Sequence, residues 1–308
     1  MFLTLGTTPT VQRTMTFDRV RPGGVLRARS VHDFASGKSI NVARVLHTLG
    51  ESVRCLGFVG GERGRMIRRD LDTAGIEHAF IEVTPQTRLC VTVVDREQRR
   101  ATEFIEEPAD VTERDGAALL DTLLHMPGGC SALLLSGSLA GGVADDFYGR
   151  CLEAAPGVTS IVDGRGEPLL ACLPQRPTVV KLNVEELGLT FRRGMESQSA
   201  LRSAMVEVCA LGARWCIVTR GSGGAAVTDG EAFWDVSSAR VETVSGVGSG
   251  DAFAAGLAVR MAAGDDVPTA CRTASACGAA NAACPDAGHL DPTLVDQLID
   301  EIRVRPAR

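Results

Sequence analysis

Ser245-Gly246-Val247-Gly248-Ser249-Gly250-Asp251 runs directly into Ala252-Phe253-Ala254-Ala255-Gly256-Leu257. Three glycines alternate with small residues, and an apolar run of small side chains follows, so the stretch reads as a tight loop opening a helix. Glycine permits positive φ and lets a ligand approach the backbone closely. The first N–H groups of a helix have no partner inside it, and the helix dipole there favours negative charge. The loop is therefore a ready anion site. Asp251 stands at the same end. A carboxylate beside an anion hole repels the anion unless it has a second task, such as accepting a proton. The plainer reading is an N-capping aspartate after a glycine turn. On this stretch alone both readings stand.

Outward from the loop, strands and helices alternate. A helix is expected at 113–126, then strands at 132–136, 160–163, 179–183 and 215–219, with helices at 145–155 and 197–211 among them. Nearer the start, strands at 1–6 and 52–60 enclose a helix at 40–49, and a helix at 65–74 follows. Val42, Val45, Leu46 and Leu49 give the 40–49 segment its apolar face, and Gly50 is its natural stop. After 219, short β pieces are expected at 225–228 and 241–244, and a last helical pair at 267–284 and 293–303. This rhythm predicts a parallel sheet covered by helices on both faces. The glycine-rich segments follow strands, where open α/β sheets bind ligands. Two β-prone insertions, about 10–34 and 86–107, stand outside the rhythm; the second contains a hairpin of 87–95 with 101–106. Neither a repeat nor a linker divides residues 1–308, so a single domain is expected.

Composition narrows the function. The chain has 308 residues, 44% hydrophobic and 23% charged, with a net charge of −6 that argues against nucleic acid as the main partner. No apolar run reaches the ~18 residues of a membrane span. Met1-Phe2-Leu3-Thr4-Leu5-Gly6 lacks a basic leader and reads as a strand, which points to a cytoplasmic protein. Ten cysteines show no C-x-x-C spacing and read as buried thiols in a reducing compartment. Only two of the 32 basic residues are lysines, Lys38 and Lys181. A lysine kept against an arginine bias suits a site that needs a compact ammonium. Lys38 lies in Ser36-Gly37-Lys38-Ser39, at the start of the first helix. A Walker A loop would need glycine at position 32, where His32 stands.

Four motifs, taken in order, resemble those of the ribokinase-like phosphofructokinase-B carbohydrate kinases, in the branch of 1-phosphofructokinases and tagatose-6-phosphate kinases. Gly248-Ser249-Gly250-Asp251 looks like the G-[AS]-G-D signature. Ser36-Gly37-Lys38-Ser39-Ile40-Asn41, with Ala43, Arg44 and Leu46, resembles the sugar-side motif G-G-K-G-x-N-x-A-R-x-L, two glycines being serine here. Lys181, Asn183 and Glu186 match N-x-x-E, and Thr219-Arg220-Gly221-Ser222-Gly223-Gly224 looks like the nucleotide loop. The resemblance spans about 3–291. It implies a three-layer α/β/α core with a mostly parallel sheet, plus a small β-sheet lid built from the two insertions.

It also implies an ATP-dependent kinase using Mg²⁺. Asp251 would be the catalytic base, and the N–H groups of Gly248, Ser249 and Gly250 would hold the transferring phosphoryl. Asn183 and Glu186 would place the metal. Lys181, Thr219, Gly221, Gly224 and Asn281 would join the loop glycines around the nucleotide. Gln12, Gly37, Lys38, Asn41 and Ser138 would meet the sugar, and Arg27 and Arg88 its phosphate. The bland reading of Asn183 and Glu186 is a capped strand end, and of Arg27 and Arg88 plain surface charge. One departure matters: the family's N-P-x-x-D carries a sugar-binding aspartate where this chain has Gln12. The implied acceptor is a ketohexose phosphate (fructose 1-phosphate, tagatose 6-phosphate or fructose 6-phosphate), the product a bisphosphate, and the implied assembly a homodimer through the lid. The alternatives are a free-sugar or nucleoside kinase of the same fold, or a sensor without turnover.

Overall fold

The apolar runs that read as strands are buried on both sides. In Ala132–Ser136 every residue is buried; Ala132 and Leu134 join one apolar cluster, Leu133 and Leu135 the other. Side chains on a strand point alternately to opposite faces, so such a run suits a sheet covered twice. This computed structural model describes residues 1–126 and 129–307. In chain order the elements are β1 (Phe2–Gly6), β2 (Thr10–Phe17), β3 (Ser30–Ser36), α1 (Lys38–Thr48), β4 (Val53–Val59), α2 (Gly61–Ala74), β5 (Glu77–Glu82), β6 (Arg88–Asp95), β7 (Arg100–Ile105), α3 (Glu113–Leu124), β8 (Ala132–Ser136), α4 (Phe147–Ala154), β9 (Ser160–Asp163), α5 (Gly166–Cys172), β10 (Val179–Asn183), α6 (Val184–Phe191), α7 (Gln198–Ala210), β11 (Trp215–Thr219), β12 (Ala225–Thr228), β13 (Phe233–Val236), α8 (Ser249–Ala262), α9 (Val267–Ala282), α10 (Pro292–Ile299) and β14 (Val304–Pro306).

Ten strands form the main sheet in the order β14-β13-β12-β11-β10-β9-β8-β1-β4-β5. From β11 to β5 all neighbours are parallel; β12, β13 and β14 extend one edge antiparallel. Helices α1, α2, α8, α9 and α10 feed one apolar cluster, and α3, α4, α5 and α7 the other, which makes three layers. The strand order reverses between β1 and β8, and the crevice at the carboxyl ends of such strands is where open sheets take ligands. Lys38, at the start of α1, sits in this crevice with its Cβ beside Gly137, just past β8. The second sheet, β3-β2-β6-β7, is built from both insertions: β2 pairs with β6 in parallel, and β3 and β7 flank them antiparallel. No helix among the described residues is long and apolar enough to cross a membrane.

Some local expectations fail for physical reasons. No strand forms at 241–244; the backbone there is held instead by Val244 and Ser245 amides donating to the Ala282 carbonyl. Next to the edge lies β13, four residues of mixed polarity that no run of apolar residues announces. The last helix stops at Ile299, because the chain must extend to add β14 beside β13. Strand β5 and the short helices α5 and α6 are likewise unannounced in the pattern.

Candidate active site

Helix α8 begins as its sequence demands. Gly248 is its N-cap at φ 82°, a left-handed conformation, and a Cβ there would lie 2.8 Å from the Gly288 nitrogen. The Ser249 amide turns back on the Gly246 carbonyl at 3.3 Å. Among the described residues, the amides of Gly248, Gly250 and Asp251 donate to nothing. The anion hole is therefore open at these three amides, and Ser249 is the partly engaged member of the expected set. Lys181 closes it from below: its Nζ would stand 3.1 Å from a Cβ on Gly250.

Asp251 is not an N-cap. Its side chain is buried and its Oδ2 accepts from Asn41 Nδ2 at 2.7 Å. Asn41 is in turn fixed by Ser36, whose hydroxyl donates to Asn41 Oδ1 at 2.9 Å. Burial pushes the Asp251 carboxyl up to about 6; the charge of Asp163 adds to the rise, while Lys38, Asn41 and Lys181 oppose it. A carboxyl that titrates near neutrality is suited to taking a proton at working pH.

Beneath it lies a buried charge network. Asp163, at the end of β9, is 1% exposed and holds both lysines of the chain: Lys38 Nζ at 2.7 Å and Lys181 Nζ at 2.5 Å. Lys38 also donates to Glu186 Oε1 at 2.8 Å. Burial works against the charge on Asp163, yet the two ammonium groups outweigh it and hold its carboxyl down at about 2. Burial likewise opposes the charge of Lys38, and Asp163, Glu186 and Asp251 reverse that and raise it. A cavity of about 1140 Å³ opens over these groups, between the strand ends of the core and the inner face of the lid sheet.

The model of the pfkB family of carbohydrate kinases matches residues 6–294. The chain belongs to this family. Phosphofructokinase-2 from Escherichia coli, solved in complex with potassium, is 26% identical over 97% of this chain and 98% of its own, with a TM-score of 0.90. The same protein in complex with fructose-6-phosphate is 25% identical over 97% and 98%, with a TM-score of 0.87. Arabidopsis thaliana ribokinase with ribose and ATP, 21% identical over 97% and 98% at a TM-score of 0.76, shares the fold. The three-layer core, the lid and the sugar-kinase class read from the sequence all stand.

The kinase places the remaining predicted residues unequally. Gln12, Gly37, Lys38, Asn41, Arg88, Lys181, Asn183, Glu186, Thr219, Gly221 and Gly224 border the cavity with the α8 loop. Asn183 and Glu186 form a reciprocal capping box at the start of α6, with Glu186 N donating to Asn183 Oδ1 at 2.8 Å and Asn183 N to Glu186 Oε2 at 2.9 Å. That is the plainer reading of the motif, and it also aims Glu186 at Lys38. Asn281 faces away from the cavity. It is fully buried, donates to the Val247 carbonyl at 2.8 Å and accepts from the Gly288 amide at 2.9 Å. Its task is to brace the anion-hole loop. Arg27 is exposed in the segment between β2 and β3, outside the cavity lining, so Arg27, Lys38 and Arg88 do not converge here. Ser138 is also exposed and outside the lining, and its carbonyl accepts from Thr7 and Thr8.

Asp163 was missed by the sequence reading. Its signal is a carboxylate ending an otherwise apolar strand just before Gly164, where the sheet delivers ligand-facing groups.

Proposed function

We propose that this carbohydrate kinase transfers the γ-phosphoryl group of ATP to a hydroxyl of a ketohexose phosphate, giving a bisphosphate. The observation that carries the proposal is Asp251, buried and held by Asn41 at the mouth of three unpartnered amides. In-line phosphoryl transfer needs positioning and charge neutralisation, with little covalent help. Asp251 takes the proton of the attacking hydroxyl. The Gly248, Gly250 and Asp251 amides receive the charge spread over the transferring group, backed by Lys181. Lys38, neutralised in part by Asp163 and Glu186, lies within the field of the base.

ATP lies along the Thr219–Gly224 turn. Among the described residues no three carboxylate, thiol or imidazole groups gather into a metal cage. Hard oxygen donors of Asn183, Glu186 and Asp163 nevertheless border the cavity. Such a set fits Mg²⁺ that keeps most of its waters and rides on the nucleotide phosphates. When bound, the ion would neutralise phosphate charge beside Glu186.

For the acceptor's phosphate the best-placed cation is Arg88. Its Nη2 donates to the Thr8 carbonyl at 3.0 Å, and its Nε is buried without a partner. One observation favours a second reading, a free-sugar kinase: Lys38 is committed to two carboxylates, and Arg27 lies outside the cavity. An assay of ADP release on fructose 1-phosphate, fructose 6-phosphate, tagatose 6-phosphate and free fructose separates them. Arg88→Ala should lower kcat/KM about ten- to a hundred-fold on the phosphorylated acceptor and little on free fructose. A wild type that prefers free fructose hands the site to the second reading.

The working unit is a homodimer joined through the lid, in the cytoplasm. Val25, Val31 and Phe104 are 91%, 54% and 61% exposed on the lid, a surface suited to a second copy. Light scattering of wild type and Phe104→Glu tests it; a monomeric wild type removes the dimer.

A further inference from the structure

The inner face of the lid mixes apolar and polar side chains, and among the described residues one carboxylate of the lid borders the cavity. Strand register puts its residues in rows. Gln12 pairs with Cys90 and Cys90 with Ile105; one row on, Thr14 pairs with Thr92 and Thr92 with Glu103. Gln12, Thr14 and Thr92 are buried, and the Gln12 amide donates to Thr92 Oγ1 at 2.8 Å. Glu103 borders the cavity beside them. Among the described residues it has neither an ion-pair partner nor a hydrogen-bond donor. Burial alone acts on its carboxyl and pushes it up.

We propose that Glu103 is a substrate-binding residue whose carboxylate accepts hydrogen bonds from hydroxyl groups of the acceptor sugar. Glu103 is exposed to the open cavity, where water meets its carboxylate; a sugar that closes against this face displaces that water and must supply donors in its place. A polyol supplies neutral donors, and a carboxylate is a pure acceptor, so several hydroxyl protons can be met at once. Gln12 is neutral and spends one of its two N–H donors on Thr92, which leaves Glu103 as the charged acceptor of this face. At the other end of the lid stands Arg88, four positions before Thr92 along β6 and on the same face, about 13 Å away along the strand. The lid therefore carries a cation at one end and an anion at the other. An acceptor bearing a phosphate is drawn to Arg88 and repelled by Glu103, so its hydroxyl end is turned to Glu103. Attraction and repulsion together fix one orientation.

This assignment rests on the sugar-kinase reading of the cavity, but not on which sugar is preferred. The test is steady-state kinetics of wild type, Glu103→Ala and Glu103→Gln on the preferred acceptor and its monodeoxy analogues. Glu103→Ala should raise the acceptor KM about ten-fold, the scale of one charge-assisted hydrogen bond, with kcat, the ATP KM and the melting temperature unchanged. Glu103→Gln, which keeps one acceptor oxygen, should fall between. On the analogue lacking the contacted hydroxyl, wild type and Glu103→Ala should have equal KM. An acceptor KM within two-fold of wild type, or a rise equal on every analogue, overturns the assignment. A preference for free sugars would sink the sugar-phosphate reading alone, since the effect of Glu103 is then read on the free sugar.

Discussion

The end of β9 and the start of α8 each bury one carboxylate in the same cavity, and the two behave oppositely. Asp163 is 1% exposed and Asp251 is 5% exposed, so burial opposes charge at both. At Asp163 two ammonium groups reverse the penalty and the carboxyl is held at about 2; at Asp251 one amide and more distant cations do not, and it rises to about 6. Environment divides the labour: one group is a fixed charge that organises both lysines, the other a proton acceptor near neutrality. Substitution with the neutral isostere at each position should separate chemistry from architecture.

The largest expected effect is on turnover. Asp251→Asn should lower kcat about 10²- to 10⁴-fold, the usual contribution of a general base. Binding of ATP and of the acceptor, read by calorimetry, should stay within a few-fold of wild type. In the wild type, kcat/KM should fall as pH drops through about 6, where Asp251 takes up its proton. A variant with near-native kcat would reduce Asp251 to a structural group.

Asp163→Asn should act first on stability. It leaves Lys38 and Lys181 facing a neutral amide, and losing one partner of a buried pair costs about 3–5 kcal/mol. The lower end applies, because Lys38 is 34% exposed and keeps Glu186. The sign with pH follows from a depressed carboxyl. Its contribution is fully present above the unfolded value of 3.8 and fades as pH falls towards about 2. Urea unfolding at pH 7 and below pH 4 should therefore show a gap that narrows in acid. Equal stability at pH 7 would mean that the lysines find other partners.

The same contrast marks what could be read from the sequence. The layers were legible because continuous apolar runs of strand length and glycine stops repeat through the chain, and Gly248-Ser249-Gly250-Asp251 announces its own loop. Asp163 was not, because its meaning depends on Lys38, 125 positions away, and Lys181 on the neighbouring strand. Asn281 misled for the opposite reason. The resemblance puts it beside the nucleotide, and only the fold shows the Val247 and Gly288 backbone groups it must satisfy. Arg27 and Ser138 lie in irregular segments, where periodicity says nothing about direction.

The smallest effect is the most telling, because it has the opposite sign from an ordinary core substitution. A carboxyl raised by burial holds its proton more tightly folded than unfolded. As pH rises from about 3.8 to about 6, the unfolded chain ionises freely while the folded chain resists, so Asp251 costs the wild type stability above that window. Each pK unit corresponds to about 1.4 kcal/mol, so two units set a ceiling near 3 kcal/mol. Asparagine removes the charge but keeps an oxygen for the Asn41 amide, and imperfect fit takes back part of the gain. Asp251→Asn should therefore be more stable than wild type by about 1–2 kcal/mol at pH 8 and slightly less stable than it near pH 4, where only the cost of the fit is left. Melting curves of both proteins at the two pH values decide the matter. A variant less stable than wild type at pH 8 would mean that Asp251 is held as a favourable charge, like Asp163, and the contrast between the two carboxylates would be lost.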